Sequence, residues 1–80
     1  MDEFYEAVVV TADGTFRANV TDPQTIAITE DGVTGITDII HLHPRETSAA
    51  SKEHLPGTLK WWVHENVRGL EVVDVYLNLR

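Results

Sequence analysis

The residues best equipped for chemistry in this chain lie in one short stretch, His41-Leu42-His43-Pro44. Two histidines at i and i+2 on a strand project from one face, with side chains near enough to share a metal ion. His54 follows in the next polar segment, and Glu46 or Glu53 offers an oxygen ligand. A zinc site built on His41, His43 and His54 is therefore the sharpest chemical reading of the stretch. The plainer reading is a pair of solvent-facing histidines at a strand end ahead of a turn, with no cofactor at all.

The match extends further along the chain: His41-x-His43-Pro44, six further residues and then Ser51 resembles the zinc-binding stretch of the JAMM metalloprotease family. In that family two His and an Asp hold zinc, and an upstream Glu activates water. The resemblance implies that His41 and His43 are ligands, that His54 stands in for the family's Asp, and that Ser51 supports the bound water. It covers 14 of the 80 residues. Leu42 replaces a customary small hydroxyl residue, and no upstream Glu takes the base position by spacing. A metal-binding protein or degenerate metal-dependent hydrolase is accordingly the second reading of function.

Other catalytic chemistries find little to work with. The chain has no cysteine, which removes disulfides, thiolate nucleophiles and Cys-type zinc sites. It has no P-loop, no G-x-G-x-x-G and no G-x-S-x-G, and serine occurs only at Ser48 and Ser51. The acidic pairs Asp2-Glu3 and Glu30-Asp31 fall at a terminus and a turn, where water solvates them, and paired acid-base chemistry needs an enclosed site.

Charge and one tryptophan point to binding instead. Thirteen Asp and Glu against six Lys and Arg give a net charge of -7. Direct contact with nucleic acid requires cations to replace phosphate counterions, and only Arg17, Arg45, Lys52, Lys60, Arg68 and Arg80 could supply them. A protein partner with a basic or nucleic-acid-binding surface suits this charge better. Trp61 falls on the polar side of a helix beside His64, Glu65 and Arg68, where a large, rigid, amphipathic ring serves as an interface anchor. Its alternative is to lie over a loop and complete the core. The expected contact patch is Trp61, His64, Glu65 and Arg68, rimmed by Glu30, Asp31, Glu46 and Glu53.

These residues must be carried by a small set of elements. Phe4 to Thr11 is β-branched and aromatic, Asp13-Gly14 is a turn signal, and Thr15 to Thr21 alternates apolar with polar. A two-residue loop there pairs residues whose numbers sum to 27 and puts Tyr5, Ala7, Val9, Phe16, Ala18 and Val20 on one face. Thr25 to Thr29 reads as a third strand. Asp31-Gly32 reads as a second hairpin turn into a bulged strand over Val33 to His43, although Val33, Ile36, Ile39 and Ile40 would also suit a helical stripe. Glu46 to Leu55 reads as a polar loop with one helical turn over Ser48 to His54. Thr58 is an N-cap for a helix from Leu59 to Arg68, stopped by Gly69, with Leu59, Trp62, Val63 and Val67 inward. Leu70 to Leu79 closes the chain as a strand with Val73, Val75, Leu77 and Leu79 inward and Val72, Asp74, Tyr76 and Asn78 outward.

The order β-β-β-β-α-β predicts an α+β domain: a mostly antiparallel sheet of four or five strands with one amphipathic helix on one face. Its other face, with Val8, Val10, Val72 and Tyr76, is a candidate homodimer surface. The acidic start Met1-Asp2-Glu3-Phe4, and apolar runs no longer than Ala7 to Val10, predict a soluble cytoplasmic protein without a membrane span. Taken together, these features favour a small acidic, non-enzymatic binding protein of the inhibitor, antitoxin or anti-defence kind, of the size that phages and mobile elements carry. An oligomeric adaptor subunit is a third reading.

Overall fold

The computed structural model describes residues 5–67 and 71–79. The elements run β1 (Tyr5–Thr11), β2 (Thr15–Asp22), β3 (Thr25–Glu30), β4 (Asp38–His41), a 3₁₀ helix (Pro44–Ala50), α1 (Leu55–Asn66) and β5 (Val72–Leu79). Every neighbouring pair is antiparallel, in the spatial order β4-β3-β2-β1-β5. The first four strands form a meander; the chain then crosses through the two helices and returns beside β1. This is the expected α+β architecture.

The first hairpin keeps the expected face but not the expected register. Ala7 lies opposite Ala18 and Val9 opposite Phe16, so paired numbers sum to 25. The Thr11 hydroxyl causes the shift: Oγ1 accepts from Asp13 N–H and Gly14 N–H and donates to Gly14 O at 2.7 Å. That side chain closes the turn around Ala12 and Asp13, and no residue of the turn has positive φ, as a primed hairpin turn would need. Because side chains alternate with period two, a two-residue slide leaves every core residue on the core face. At the next turn Asp22 Oδ1 accepts from Gln24 N–H, an Asx turn across Pro23.

The expected strand over Val33 to His43 shrinks to Asp38–His41. Gly32 and Gly35 both sit at φ 87°, a left-handed conformation that interrupts a β ladder, so Val33 and Ile36 lie exposed in a loop. The helical turn expected over Ser48 to His54 falls earlier, as the Pro44–Ala50 3₁₀ helix. Helix α1 in turn begins at Leu55 rather than Leu59. Pro56 lies in its first turn, where a missing N–H costs nothing. Thr58 is thus inside the helix, and its hydroxyl donates to Ala49 O and His54 O, tying the 3₁₀ helix to α1.

Leu55, Leu59, Trp62 and Val63 form the buried stripe of α1, packed on Ala7, Val9, Phe16, Ala18, Ile26 and Ile28. The Phe16 and Trp62 rings meet at 5.8 Å with their planes tilted by 57°. Tyr5 O–H donates to Ala50 O, anchoring the crossover. In β5 the register shifts between Val10 and Thr11, so Thr11 pairs with Val72 and Val10 with Asp74. Val73 is the extra residue of this bulge. It points to solvent, 66% exposed, while Val72 turns onto the core, the reverse of the alternation read from sequence.

Candidate binding surface

The outer sheet face is not the bare strip expected of Val8, Val10, Val72 and Tyr76. Val72 packs on the opposite face, Val10 is half-buried, and Val8 is 0% exposed. Val8 lies laterally between Arg17 and Tyr76, whose larger side chains flank it. Arg17 spans this face. Its Nη1 donates to Glu6 at 2.8 Å, and Nε and Nη2 donate to Asp31 at 2.9 and 3.2 Å. Asn78 Nδ2 donates to the same Glu6 oxygen at 3.0 Å. The hydrogen bond to Asp31 is the main cause that raises the Arg17 pKa above its ordinary value; burial opposes it and Glu6 adds to it. The guanidinium and its two carboxylates thus form a fixed charged clasp over β1, β2 and the loop after β3. Nothing in the spacing of Glu6, Arg17 and Asp31 announced it beyond a polar alternation on the strands.

A groove of about 760 Å³ lies on the other side, between β4, the 3₁₀ helix and the start of α1. Ile40, Leu42, Ala49 and Trp61 line it together with His41, His54, Arg45 and Glu46. Trp61 is 56% exposed. The groove therefore gathers residues that sequence reasoning had divided between a metal site and a contact patch.

Two of the three histidines, His43 and His54, are held in separate local settings. His43 is the N-cap of the 3₁₀ helix: Nδ1 accepts from Arg45 N–H, and His43 N–H donates to Glu46 Oε1, a capping box closed by both side chains. His54 Nδ1 lies 3.0 Å from Ser51 Oγ. Among the described residues, no three His, Asp or Glu side chains converge as a group that could hold a metal ion.

The expected acidic rim is likewise divided. Glu46 lines the groove, Asp31 is held by Arg17, and Glu30 belongs to a second cleft of about 400 Å³. Glu53 is exposed in the turn before α1, His64 and Glu65 are exposed on the solvent side of the helix, and Arg68 lies outside the described residues. The second cleft sets Asp13, Glu30 and Asp38 beside Phe16 and Trp62. Asp38 takes the Trp62 indole N–H on Oδ2 at 2.7 Å and the Ile39 N–H on Oδ1 at 2.8 Å. These bonds, the indole first, hold its carboxyl below the ordinary range.

No family model, no curated protein and no solved structure matches this chain. Among the described residues, no helix is long and apolar enough to cross a membrane. The molecule is defined by its α+β fold and by these surfaces.

Proposed function

We propose that this chain is a non-enzymatic protein-binding module, of the inhibitor or antitoxin kind, whose contact surface centres on Trp61 and the groove beside it. The observation that carries this reading is a large indole, 56% exposed, at an apolar groove on a protein of net charge -7. An exposed tryptophan beside a concavity is the usual form of an interface anchor. Several polar groups near the groove are already engaged in local structure: His43 and Glu46 in the capping box, His54 with Ser51. What the groove offers a partner is chiefly apolar contact, and what the rest of the surface offers is negative potential. A partner with a basic surface, such as one that ordinarily holds nucleic acid, complements both.

The test is capture from the native host with wild type and Trp61→Ala as baits, at low and high salt. The expected result is a basic protein retained by wild type and released as salt rises. Trp61→Ala should lose it with an unchanged melting temperature, since truncating such an anchor costs about 2 kcal/mol or more of binding. Binding indifferent to Trp61→Ala would place the contact elsewhere.

A further inference from the structure

The two edges of the sheet differ in length, and each ties one outward amide to the aspartate before it. Strand β4 is four residues long, and its outward Ile39 N–H is taken by Asp38. Strand β5 is eight residues long and contains no Lys, Arg or Pro; the devices that blunt a sheet edge are confined to Asp74 and the bulge at Val73, which leaves Val75 to Leu79 regular. It leaves Val73, Tyr76 and Leu79 exposed. Val75 N–H donates to Asp74 Oδ1 at 2.9 Å, so this amide is turned away from β1. By antiparallel alternation Leu77 and Leu79 turn their backbone groups the same way.

We propose that β5 is a self-association edge, on which a second copy of this chain pairs antiparallel through its own β5 with the two-fold axis at Tyr76. The argument is the self-complementarity of the strand in that register. Val75 meets Leu77 of the second copy, and Asp74 meets Asn78, a carboxylate opposite an amide. Asn78 spends one N–H on Glu6 and keeps a second for Asp74. Tyr76 meets itself across the axis, as aromatic pairs favour on a sheet surface. No like charges face each other. Moving the axis to Val75 sets Val72 against Asn78 and Glu71 against Leu79, and moving it to Leu77 sets Tyr76 against Asn78; both lose the match. The bond from Val75 N–H to Asp74 closes the edge in the monomer and opens when Asp74 turns to Asn78. This inference is independent of the Trp61 groove, which lies at the opposite edge of the sheet.

The test uses the absence of native cysteine. Facing residues of a non-hydrogen-bonded pair have Cα atoms about 4.5 Å apart, within the disulfide range. Tyr76→Cys should therefore form a covalent dimer under mild oxidation. Val73→Cys should not, since in this register its copies lie about 20 Å apart along the strands. In parallel, sedimentation of the wild type should show a concentration-dependent shift from 9.0 kDa to twice that mass. The dimer should tighten with salt, because each copy carries -7. A wild type that stays monomeric at millimolar concentration overturns the proposal. So does cross-linking of Val73→Cys as fast as that of Tyr76→Cys, which would place a dimer on another surface.

Discussion

The indole N–H of Trp62 donates to Asp38 Oδ2 at 2.7 Å, joining the buried face of α1 to the first residue of edge strand β4. The same carboxylate holds Ile39 N–H, so one exposed side chain fixes both a core ring and a strand edge. Asp38→Ala should cost about 1 kcal/mol in urea unfolding, the low end for an orphaned donor, because water can enter the adjoining cleft. Asp38→Asn, which keeps an acceptor, should cost less. The pH dependence has a defined sign. The folded carboxyl titrates below its unfolded value, so its contribution is present above about pH 4 and is lost as pH falls through the folded pKa. Asp38→Asn should flatten the acid limb of the stability profile, and an unchanged limb would remove Asp38 from that role.

Arg17 tests the outer clasp. Glu6 keeps only 7% of its side chain exposed and Arg17 keeps 32%. Removing the cation leaves a nearly buried carboxylate with Asn78 as its remaining neutral partner. Arg17→Ala should destabilise by about 2 kcal/mol, less than the 3–5 of a fully buried pair because Arg17 is partly solvated. The double variant Arg17→Ala, Glu6→Gln should recover part of the loss. Urea midpoints of the two variants decide it, and no recovery would mean that Arg17 acts through its cover over Val8 instead.

The two adjacent tryptophans should separate in fluorescence. Trp61 is exposed and Trp62 is buried, so Trp61→Phe should shift the emission to the blue and reduce acrylamide quenching, while Trp62→Phe should do the opposite. Equal quenching of both variants would contradict this placement. This division was legible in the sequence, because a 3.6-residue period with Leu59, Trp62 and Val63 on one side leaves Trp61 on the other. The hairpin face and the inward Val75 were legible for the same reason of periodicity, whereas Leu79, expected inward, is 61% exposed at the strand end. The turns were not. A hydroxyl at Thr11, a capping imidazole at His43 and a bulge at Val73 act through backbone hydrogen bonds that no side-chain period encodes. The groove is not encoded locally, because Trp61 is distant in sequence from His41 and Leu42 and meets them only once α1 crosses the sheet. Asp38 tethers the start of β4 through the Trp62 indole, a contact between residues 24 apart in sequence.

Zinc separates the capping role of His43 from a metal role. Nδ1 of His43 accepts the Arg45 N–H, which leaves the proton of the neutral ring on Nε2, so metal binding at His43 would displace the capping bond. Zn(II) should leave the melting temperature unchanged, and His43→Ala should lower stability by about 0.5–1 kcal/mol through loss of the cap. A zinc-dependent rise that disappears in His41→Ala would assign a metal site to the His-x-His stretch.

Gly32 and Gly35 govern the loop that replaces the expected strand. Both have φ of 87°, and a Cβ built on either meets no atom within 4 Å, so substitution there is resisted by the backbone alone. Gly32→Ala or Gly35→Ala should each cost about 1–2 kcal/mol, and asparagine less, since its side chain tolerates the left-handed region. The loss should be confined to the β3–β4 end. Hydrogen exchange should therefore accelerate at Thr37, whose N–H donates to Ile28 O at 2.8 Å, while the β1 amides hold their protection. If instead alanine at these positions is neutral and Val33 and Ile36 gain protection, the segment has taken up the bulged strand that its β-branched residues favour, and the glycines are what prevent it in the native chain.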